Sequence, residues 1–457
     1  MIKKILIANR GDIAVRIIRT CKELDIQTVA IYSDIDKECF HRYLADESIC
    51  IGPNNISKSY NNIDNIIYLA LKLECDAIHP GFGFLSENAE FAKKCEENGI
   101  ILIGPKMEQM ILMGDKSRAR ETMMKLNIPV VPGSEGVLKD KQEALCLANK
   151  IGYPVIIKAS NGGGGKGMRI VTCEEELFSS FDIASSEALS AFGSKDLYME
   201  KFIKNPRHIE VQVFGDSFGN AIHLGGRDCS MQRRNQKVLE ESLSTYLDVN
   251  EKNHLYKTAV DIVKGIGYLG AGTIEFIVDS DKNFYFIEMN TRIQVEHPVT
   301  EMITGVDLIK LQISIANKEP IPFKQEDIVF KGHAIECRIN AENPSNDFKP
   351  CPGKITSINI PGGFGVRFDT FIYTGYTIPP IYDSMIGKLI CWAEDREQCI
   401  KKINRALDEI IVEGIDTNIE FQKLLITSDA FAKDLHHTKF IENEFMLEAA
   451  STISDTV

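Results

Sequence analysis

The chain has 457 residues, 44% of them hydrophobic and 26% charged, which is ample for several packed cores at ~100–200 residues per domain. A net charge of -13 and a pI near 5.3 leave no broad cationic surface, which argues against nucleic acid as a partner but not against a local basic pocket. No run reaches the ~18 apolar residues of a membrane span, and Asn9 and Arg10 interrupt the N-terminal apolar run before a signal-peptide core forms.

The opening reads strand, turn, helix, strand. "KKILIAN" is apolar, "GD" punctuates it, and Ile13, Ala14, Ile17, Ile18, Cys21 and Leu24 recur at helical spacing before "QTVAIYS". This pattern is a βαβ unit of a parallel sheet. "DAIHPG", a helical "SENAEFAKKCEENG" and "ILIGP" continue the alternation, so one α/β domain is expected over residues 1–104. Helical segments around "SRARETMMKLN" then lead to the proline-marked boundary in "IPVVPG", near residue 131.

Beyond it, "PVIIKAS" and "MRIVT" are short strands joined by "NGGGGKG", and "DLYMEKFI" is again strand-like. From "RHIEVQVFG" onward alternating strands dominate, with an amphipathic helix at "REQCIKKINRALDEII". The twelve cysteines show neither CxxC pairs nor Cys/His ligand spacing, so reduced, mostly packed thiols and a cytoplasmic location are expected.

Four glycines, Gly162 to Gly165, precede Lys166 and Gly167. Without a Cβ, such a loop brings backbone N–H groups close to phosphate oxygens, although a ligand-free flexible turn has the same composition. The loop lacks the spacing and the Ser or Thr of a Walker A sequence. Lys158 ends the apolar strand "VIIK" beside this loop, and Lys116 follows "MGD"; each needs either solvent or an anion.

"GTIEFIVDSDKNFYFIEMN" reads as two strands about a "DSDKN" turn, and symmetric pairing sets Glu275 nearly opposite Glu288. Opposed like charges destabilise, so either a cation such as Mg²⁺ or a nearby arginine is expected between or beside them. If the chain stays extended through "EMNTRIQVEHP", then Glu288, Asn290, Arg292, Gln294 and Glu296 share one face. That row runs from metal ligands, to an oxyanion-binding guanidinium, to a base, while His297 reads as structural. The cluster "MQRRNQK" is an ordinary solvated charge run unless Lys237 meets an anion.

At these residues the chain resembles the biotin carboxylases of the ATP-grasp superfamily, over nearly its whole length. The resemblance is carried, in order, by "KILIANRGDIAVRIIRTCKEL", "HPGFGFLSEN", "IIKASNGGGGKGMR", "YMEKFI", "NPRHIEVQV", "RDCSMQRRNQK", "EMNTRIQVEHPVTE", "ECRINAE" and "YDSMIGKLI". It implies an α/β fold of the α+β ATP-grasp kind. Its parts would be an N-terminal domain at 1–104, a helical linker at 105–130, a glycine-loop lid at 131–203, a β-rich catalytic domain at 204–446 and a tail at 447–457.

The resemblance further implies that Lys116, Lys158, Gly164, Gly165 and Lys166 hold the phosphates of ATP, while Glu200, Lys201, Phe202 and Ile203 border the adenine. His208 and Gln232 would contact the nucleotide, and Glu275, Glu288 and Asn290 would bind Mg²⁺ or Mn²⁺. Bicarbonate is expected at Arg292, Gln294 and the Val295 backbone near Lys237, with Glu296 as base and Arg338 stabilising the biotin enolate.

The reaction so implied is ATP-dependent carboxylation of biotin through carboxyphosphate. No "AMKM"-like biotinylation sequence occurs, so biotin is expected on a separate carrier protein, with carboxyltransferase subunits as further partners and a homodimer as the assembly. Acetyl-CoA carboxylase, and so fatty acid biosynthesis, is the expected setting, with pyruvate or another acyl-CoA as alternative acceptors. The family often has histidine where this chain has Asn235 and tyrosine where it has Phe82, which puts one nucleotide contact and one hydroxyl near biotin in question. Another ATP-grasp ligase would not need Arg292 to Glu296 together with Arg338, and a non-catalytic nucleotide-binding regulator would not need the base.

Overall fold

The computed structural model describes residues 1–160, 167–243 and 245–446. Strands β1 (Lys4–Ile7), β2 (Gln27–Tyr32), β3 (Glu47–Cys50), β4 (Ala77–His79) and β5 (Ile101–Leu102) form a parallel sheet in the order β3-β2-β1-β4-β5. β1 is apolar on both faces because both are covered; Ile5, Leu6 and Ile7 are fully buried. The helix Gly11–Glu23 buries Ile13, Ala14, Ile17, Ile18 and Cys21, the stripe its sequence spacing predicts. Asn9 Nδ2 donates to the carbonyls of Pro80 and Phe82, which ties the end of β1 to the "HPGF" turn. Gly81 is required there: its φ is +63° and a Cβ would stand 2.9 Å from Asn9 Nδ2.

A small antiparallel sheet follows, made of β6 (Val155–Ala159), β7 (Met168–Val171) and β8 (Leu197–Lys201) in the order β7-β6-β8. It carries two helices, Lys141–Ile151 and Glu174–Phe192, whose small residues Ala144, Ala148, Ala184 and Ala188 are buried in one cluster. The second helix begins with Glu174, Glu175 and Glu176 at the positive end of its dipole and stops at Gly193, which is left-handed.

The largest sheet has eight antiparallel strands. β9 (Arg207–Gly215), β10 (Ala221–Arg233), β11 (Gln236–Ser242), β12 (Gly270–Val278), β13 (Phe284–Asn290) and β14 (His333–Asn340) are followed by strands Met385–Ala393 and Val366–Thr370. Their spatial order is β13-β12-β9-β10-β11-β14, then Met385–Ala393, then Val366–Thr370. Helix Val249–Gly265, opened by a reciprocal Asp248/Glu251 cap, packs on β9 and β10, and helix Arg396–Glu409 packs on Met385–Ala393. β10 and β11 are joined by the two residues Arg234 and Asn235, both at positive φ. Asparagine tolerates that conformation, so Asn235 suits a tight primed turn.

The β12–β13 register pairs Glu275 with Glu288 about a turn in which Asp279 Oδ1 accepts from the N–H groups of Asp281 and Asn283. The extended row through Glu296 does not occur. β13 ends at Asn290, the chain turns, and Glu296 stands immediately before helix His297–Thr304. Pro298 explains the change, because its fixed φ and missing N–H suit the first turn of a helix and not a ladder. No helix among the described residues is long and apolar enough to cross a membrane.

Burial gives this fold an acid-sensitive component. His79 is fully buried in β4, its Nδ1 accepts from the Gly81 N–H, and burial pushes its pKa down to about 3. An unfolded histidine takes a proton below about pH 6.5 while the native one does not, so stability falls as pH drops from about 6.5 toward 3. His79→Gln is expected to flatten the pH dependence of the denaturation midpoint across that window, by about 1.4 kcal/mol per pH unit. Equal slopes for parent and variant between pH 6.5 and 4 (roughly the accessible part of the window) would show that His79 is not held neutral.

Candidate active site

A cavity of about 1580 Å³ opens between the parallel sheet, the three-stranded sheet and the end of the large sheet. Its floor is a buried charge network centred on Lys237. The Lys237 ammonium donates to Glu210 Oε2 at 2.6 Å, Glu275 Oε1 at 3.1 Å and Glu296 Oε1 at 2.6 Å. Burial disfavours its charge, but the surrounding carboxylates outweigh burial and raise its pKa well above the usual lysine value. The same balance holds Glu296 ionised: burial favours its neutral form, yet Lys237, Arg338 and Arg227 keep its pKa well below the usual carboxylate range.

Arg227, fully buried below this layer, donates to Glu210 Oε1 at 2.5 Å, to Gln212 Oε1 at 3.0 Å and to Thr300 Oγ1 at 2.7 Å. Arg338 Nη2 donates to Glu296 Oε2 at 3.0 Å and its Nε to Glu240 Oε1 at 2.6 Å. Glu296 therefore has one oxygen on Lys237 and the other on Arg338.

The residues after β13 still converge on this floor although the strand has ended. Arg292 donates to Asn290 Oδ1 and Gln294 Oε1 at 2.8 Å each, and to Glu87 Oε2 at 2.9 Å, from the segment that follows β4. Asn290 Nδ2 and Gln294 Nε2 both donate to Glu275 Oε1, at 2.8 and 3.2 Å. The Val295 carbonyl accepts from the buried Lys388 ammonium at 2.7 Å, which fixes that peptide. His297 is fully buried and kept neutral, with Nδ1 2.8 Å from the Gln294 carbonyl, so it braces the turn.

At the other end of the cavity, Lys158 donates to Glu200 Oε2 at 2.5 Å and Arg120 to Glu200 Oε1 at 3.1 Å. Lys116, at the start of a helix, lies 3.4 Å from Glu288 Oε2. Gln232 Nε2 lies 2.7 Å from His208 Nδ1, which places the imidazole N–H on Nε2, 2.8 Å from Glu275 Oε2.

The donor set fits a hard divalent cation. Two carboxylates stand side by side on one hairpin; Glu275 is held ionised against burial by Lys237 and His208, and Glu288 is partly exposed, 3.4 Å from Lys116.

Lys116, Lys158, Glu200, His208, Gln232, Asn235, Lys237 and the row from Glu275 to Glu296 line one cavity, with Arg338 and Phe82. Lys201, Phe202 and Ile203 do not line it. The Lys201 ammonium donates to the Gly152 and Tyr153 carbonyls, at 2.9 and 3.0 Å. Gly164, Gly165 and Lys166, and the tail at 447–457, lie outside the described residues.

Several residues of the site escaped sequence reasoning: Glu210, Arg227, Glu87, Arg120, Glu240 and Lys388. A signal existed for one of them. In "RHIEVQV" the polar His208, Glu210 and Gln212 alternate with Ile209, Val211 and Val213, which marks a polar strand face. Glu87 and Lys388 come from distant segments, and no local pattern points to them.

Three family models match in succession: "Biotin carboxylase, N-terminal domain" at residues 1–110, "Carbamoyl-phosphate synthase L chain, ATP binding domain" at 115–324, and "Biotin carboxylase C-terminal domain" at 336–443. The chain is 54% identical to biotin carboxylase 1 of Bacillus subtilis over 97% of its own length and 98% of the relative's. It is 50% identical to the biotin carboxylase of Pseudomonas aeruginosa over 98% and 100%.

Among solved structures, a biotin carboxylase–βγ-ATP complex from Campylobacter jejuni superposes with a TM-score of 0.92 at 51% identity, covering 96% of this chain and 98% of that one. The biotin carboxylase domain dimer of Hydrogenobacter thermophilus 2-oxoglutarate carboxylase, solved with MgADP, ADP and bicarbonate, gives 0.91 at 51% identity, with 97% of each chain covered. With its N-terminal, ATP-binding and C-terminal parts all matched in order and half its residues shared with these relatives, this chain belongs to the biotin carboxylase family.

Proposed function

We propose that the chain catalyses ATP-dependent carboxylation of biotin, presented on a separate carrier protein, with bicarbonate as the carbon source. The observation that carries this reading is Glu296, an ionised carboxylate with one oxygen on Lys237, beside the Arg292/Gln294 pair, and the other on Arg338. Other ATP-grasp chemistry explains the phosphate end of the cavity but not this arrangement.

In the proposed mechanism Lys116 and Lys158 meet the phosphates of ATP. Arg292 and Gln294, with the Val295 backbone, orient bicarbonate, whose planar oxyanion matches a guanidinium fork. Bicarbonate oxygen attacks the γ-phosphorus, the bond to the β-phosphate oxygen breaks, ADP leaves, and Glu296 accepts the bicarbonate proton. Lys237 faces the charge that develops there. Carboxyphosphate then divides into CO₂ and phosphate. The phosphate takes the ureido proton of biotin, the nitrogen attacks CO₂, and Arg338 faces the ureido oxygen as it becomes negative. Magnesium or manganese, held by Glu275 and Glu288 with Asn290 beside them, would neutralise phosphate charge during transfer.

Relatives with this fold serve different acceptors, since 2-oxoglutarate and pyruvate carboxylases are both represented among the similar structures. We assign acetyl-CoA carboxylase as the setting, with pyruvate or another acyl-CoA as the alternative, and a carrier and carboxyltransferase as partners. A homodimer is supported by the dimeric relative, and the reducing cytoplasm by twelve free cysteines, eight of them buried. Bicarbonate-dependent ATP cleavage stimulated by free biotin, with carboxybiotin formed in proportion, tests the activity. Cleavage indifferent to both substrates would overturn it.

The hairpin makes a metal prediction. Glu275→Gln or Glu288→Gln is expected to raise the Mg²⁺ concentration needed for half-maximal ATP cleavage, because each removes one charge from a two-carboxylate site. An unchanged magnesium dependence in both variants would remove the hairpin from the metal site.

The two ends of Glu296 make a second. Arg338→Gln is expected to lose ~100–1,000-fold in biotin carboxylation, the scale of one electrostatic donor, while keeping much of the bicarbonate-dependent ATP cleavage. Glu296→Ala is expected to lose both. Phosphate release and carboxybiotin, assayed in parallel, decide the matter: parent-rate carboxylation by Arg338→Gln, or normal ATP cleavage by Glu296→Ala, would reverse the assignment.

A further inference from the structure

Behind Arg338 the sheet carries two carboxyl groups that the proposed chemistry leaves unassigned as a pair. Glu240 of β11 and Glu336 of β14 are directly opposite in register, and neither has any solvent exposure. Such a pair has Cβ atoms ~4.5–5.5 Å apart on one face, where two like charges destabilise. Arg338 reaches only one oxygen of the four, Glu240 Oε1, from Nε at 2.6 Å and Nη2 at 2.5 Å. No donor among the described residues reaches Glu240 Oε2 or either oxygen of Glu336.

The charged groups facing the pair come from four elements. Arg338 belongs to β14 and Lys237 to β11, Lys388 lies in Met385–Ala393, and Glu296 precedes helix His297–Thr304. Two of the three cations are committed elsewhere: Lys237 to three other carboxylates, and Lys388 to the Val295 carbonyl at 2.7 Å and Asp12 at 3.3 Å. One shared cation cannot compensate two buried carboxylates, whereas a carboxylic acid O–H donating to the neighbouring carboxylate satisfies an oxygen on each side and removes the repulsion. Burial raises the pKa of both groups; at Glu240 it is opposed by Arg338 and Lys237 and reinforced by Glu296, and at Glu336 it is opposed by Lys388 and Arg338 and reinforced by Glu240 and Glu296.

Resting on the biotin-carboxylation reading, we propose that Glu240 and Glu336 share a single proton during turnover, carried by Glu336, so that the pair presents one negative charge to Arg338 and not two. Glu336 is then a positioning residue. It acts through Glu240 to hold the guanidinium in place without cancelling the charge that Arg338 offers to the ureido oxygen. When the shared proton is lost at high pH, the second negative charge draws on Arg338, and biotin carboxylation falls while bicarbonate-dependent ATP cleavage persists. Loss at high pH follows because ionisation of Glu336 is the harmful event, and it becomes complete only as pH rises.

The test joins a spectroscopic readout to a kinetic one on the full chain. Infrared spectra of protein labelled with ¹³C-glutamate are expected to contain a protonated-carboxyl stretch at neutral pH that Glu336→Gln abolishes. Glu336→Gln, a neutral isostere, is expected to carboxylate biotin at a near-parent rate and to lose the alkaline decline. Glu240→Gln is expected to lower carboxylation by roughly 10–100-fold, the scale of one charged hydrogen bond, and to keep ATP cleavage. Absence of the band at neutral pH, its survival in Glu336→Gln, or a Glu336→Gln variant as impaired as Glu240→Gln would each overturn the shared proton. The infrared measurement needs no turnover, so a parent protein that shows the band but does not carboxylate biotin would overturn the reaction assigned above and leave the pair standing.

Discussion

The site is organised by one constraint: an ammonium buried among carboxylates must be matched in charge and geometry, or the fold does not form there. Lys237 meets Glu210 from β9, Glu275 from β12 and Glu296 from the start of a helix, all within 3.1 Å. A network of this kind is poor evidence for net stability, since desolvating the ions cancels much of their attraction. Removing one partner is another matter, because it strands a buried charge at a cost of about 3–5 kcal/mol. The network thus fixes three separate chain segments relative to one another, and the cavity inherits their positions.

Other features extend this anchoring outward. Arg227 spends its donors on Glu210, Gln212, Thr273 and Thr300, so Glu210 approaches Lys237 from a side chain already locked from below. Lys388 ties the Val295 peptide to Asp12 in the first helix of the N-terminal domain, and Glu87 does the same for Arg292. The turn after Asn290, which leaves the sheet and has no ladder to hold it, is therefore held by two charged residues of the N-terminal domain.

How much of this was legible in the sequence depended on the range of the interaction. The βαβ opening, the antiparallel β6–β7 pairing and the Glu275/Glu288 register follow from periods of 3.6 and 2.0 and from turn residues, all local properties. The course of residues 291–296 was not legible in that way. Alternation suggested one more strand, whereas Pro298 and the pull of Glu296 toward Lys237 and Arg338 turn the chain into a helix. The long helix Glu174–Phe192 was also missed, because its buried stripe is mostly alanine and gives little hydrophobic contrast. Glu240, Lys388 and Glu87 were invisible for a different reason: their meaning lies in partners 93 residues away or more, and a charged residue in isolation reads as surface.

The division of Glu296 between two cations has a consequence for the order of events. While Glu296 is ionised, Lys237 and Arg338 both direct part of their charge to it, one through each oxygen. In the proposed mechanism that carboxylate accepts a proton from bicarbonate, and its claim on both cations then weakens together. Lys237 is then freer to meet charge at the phosphoryl end, and Arg338 is freer to meet the ureido oxygen of biotin. Under that mechanism a single protonation prepares the two ends of the cavity in the order the proposed chemistry needs. If Glu296 stayed ionised, Arg338 would still face two carboxylates, Glu240 and Glu296, after carboxyphosphate had formed. Sharing one carboxylate between Lys237 and Arg338 would in this way link the second half-step to completion of the first.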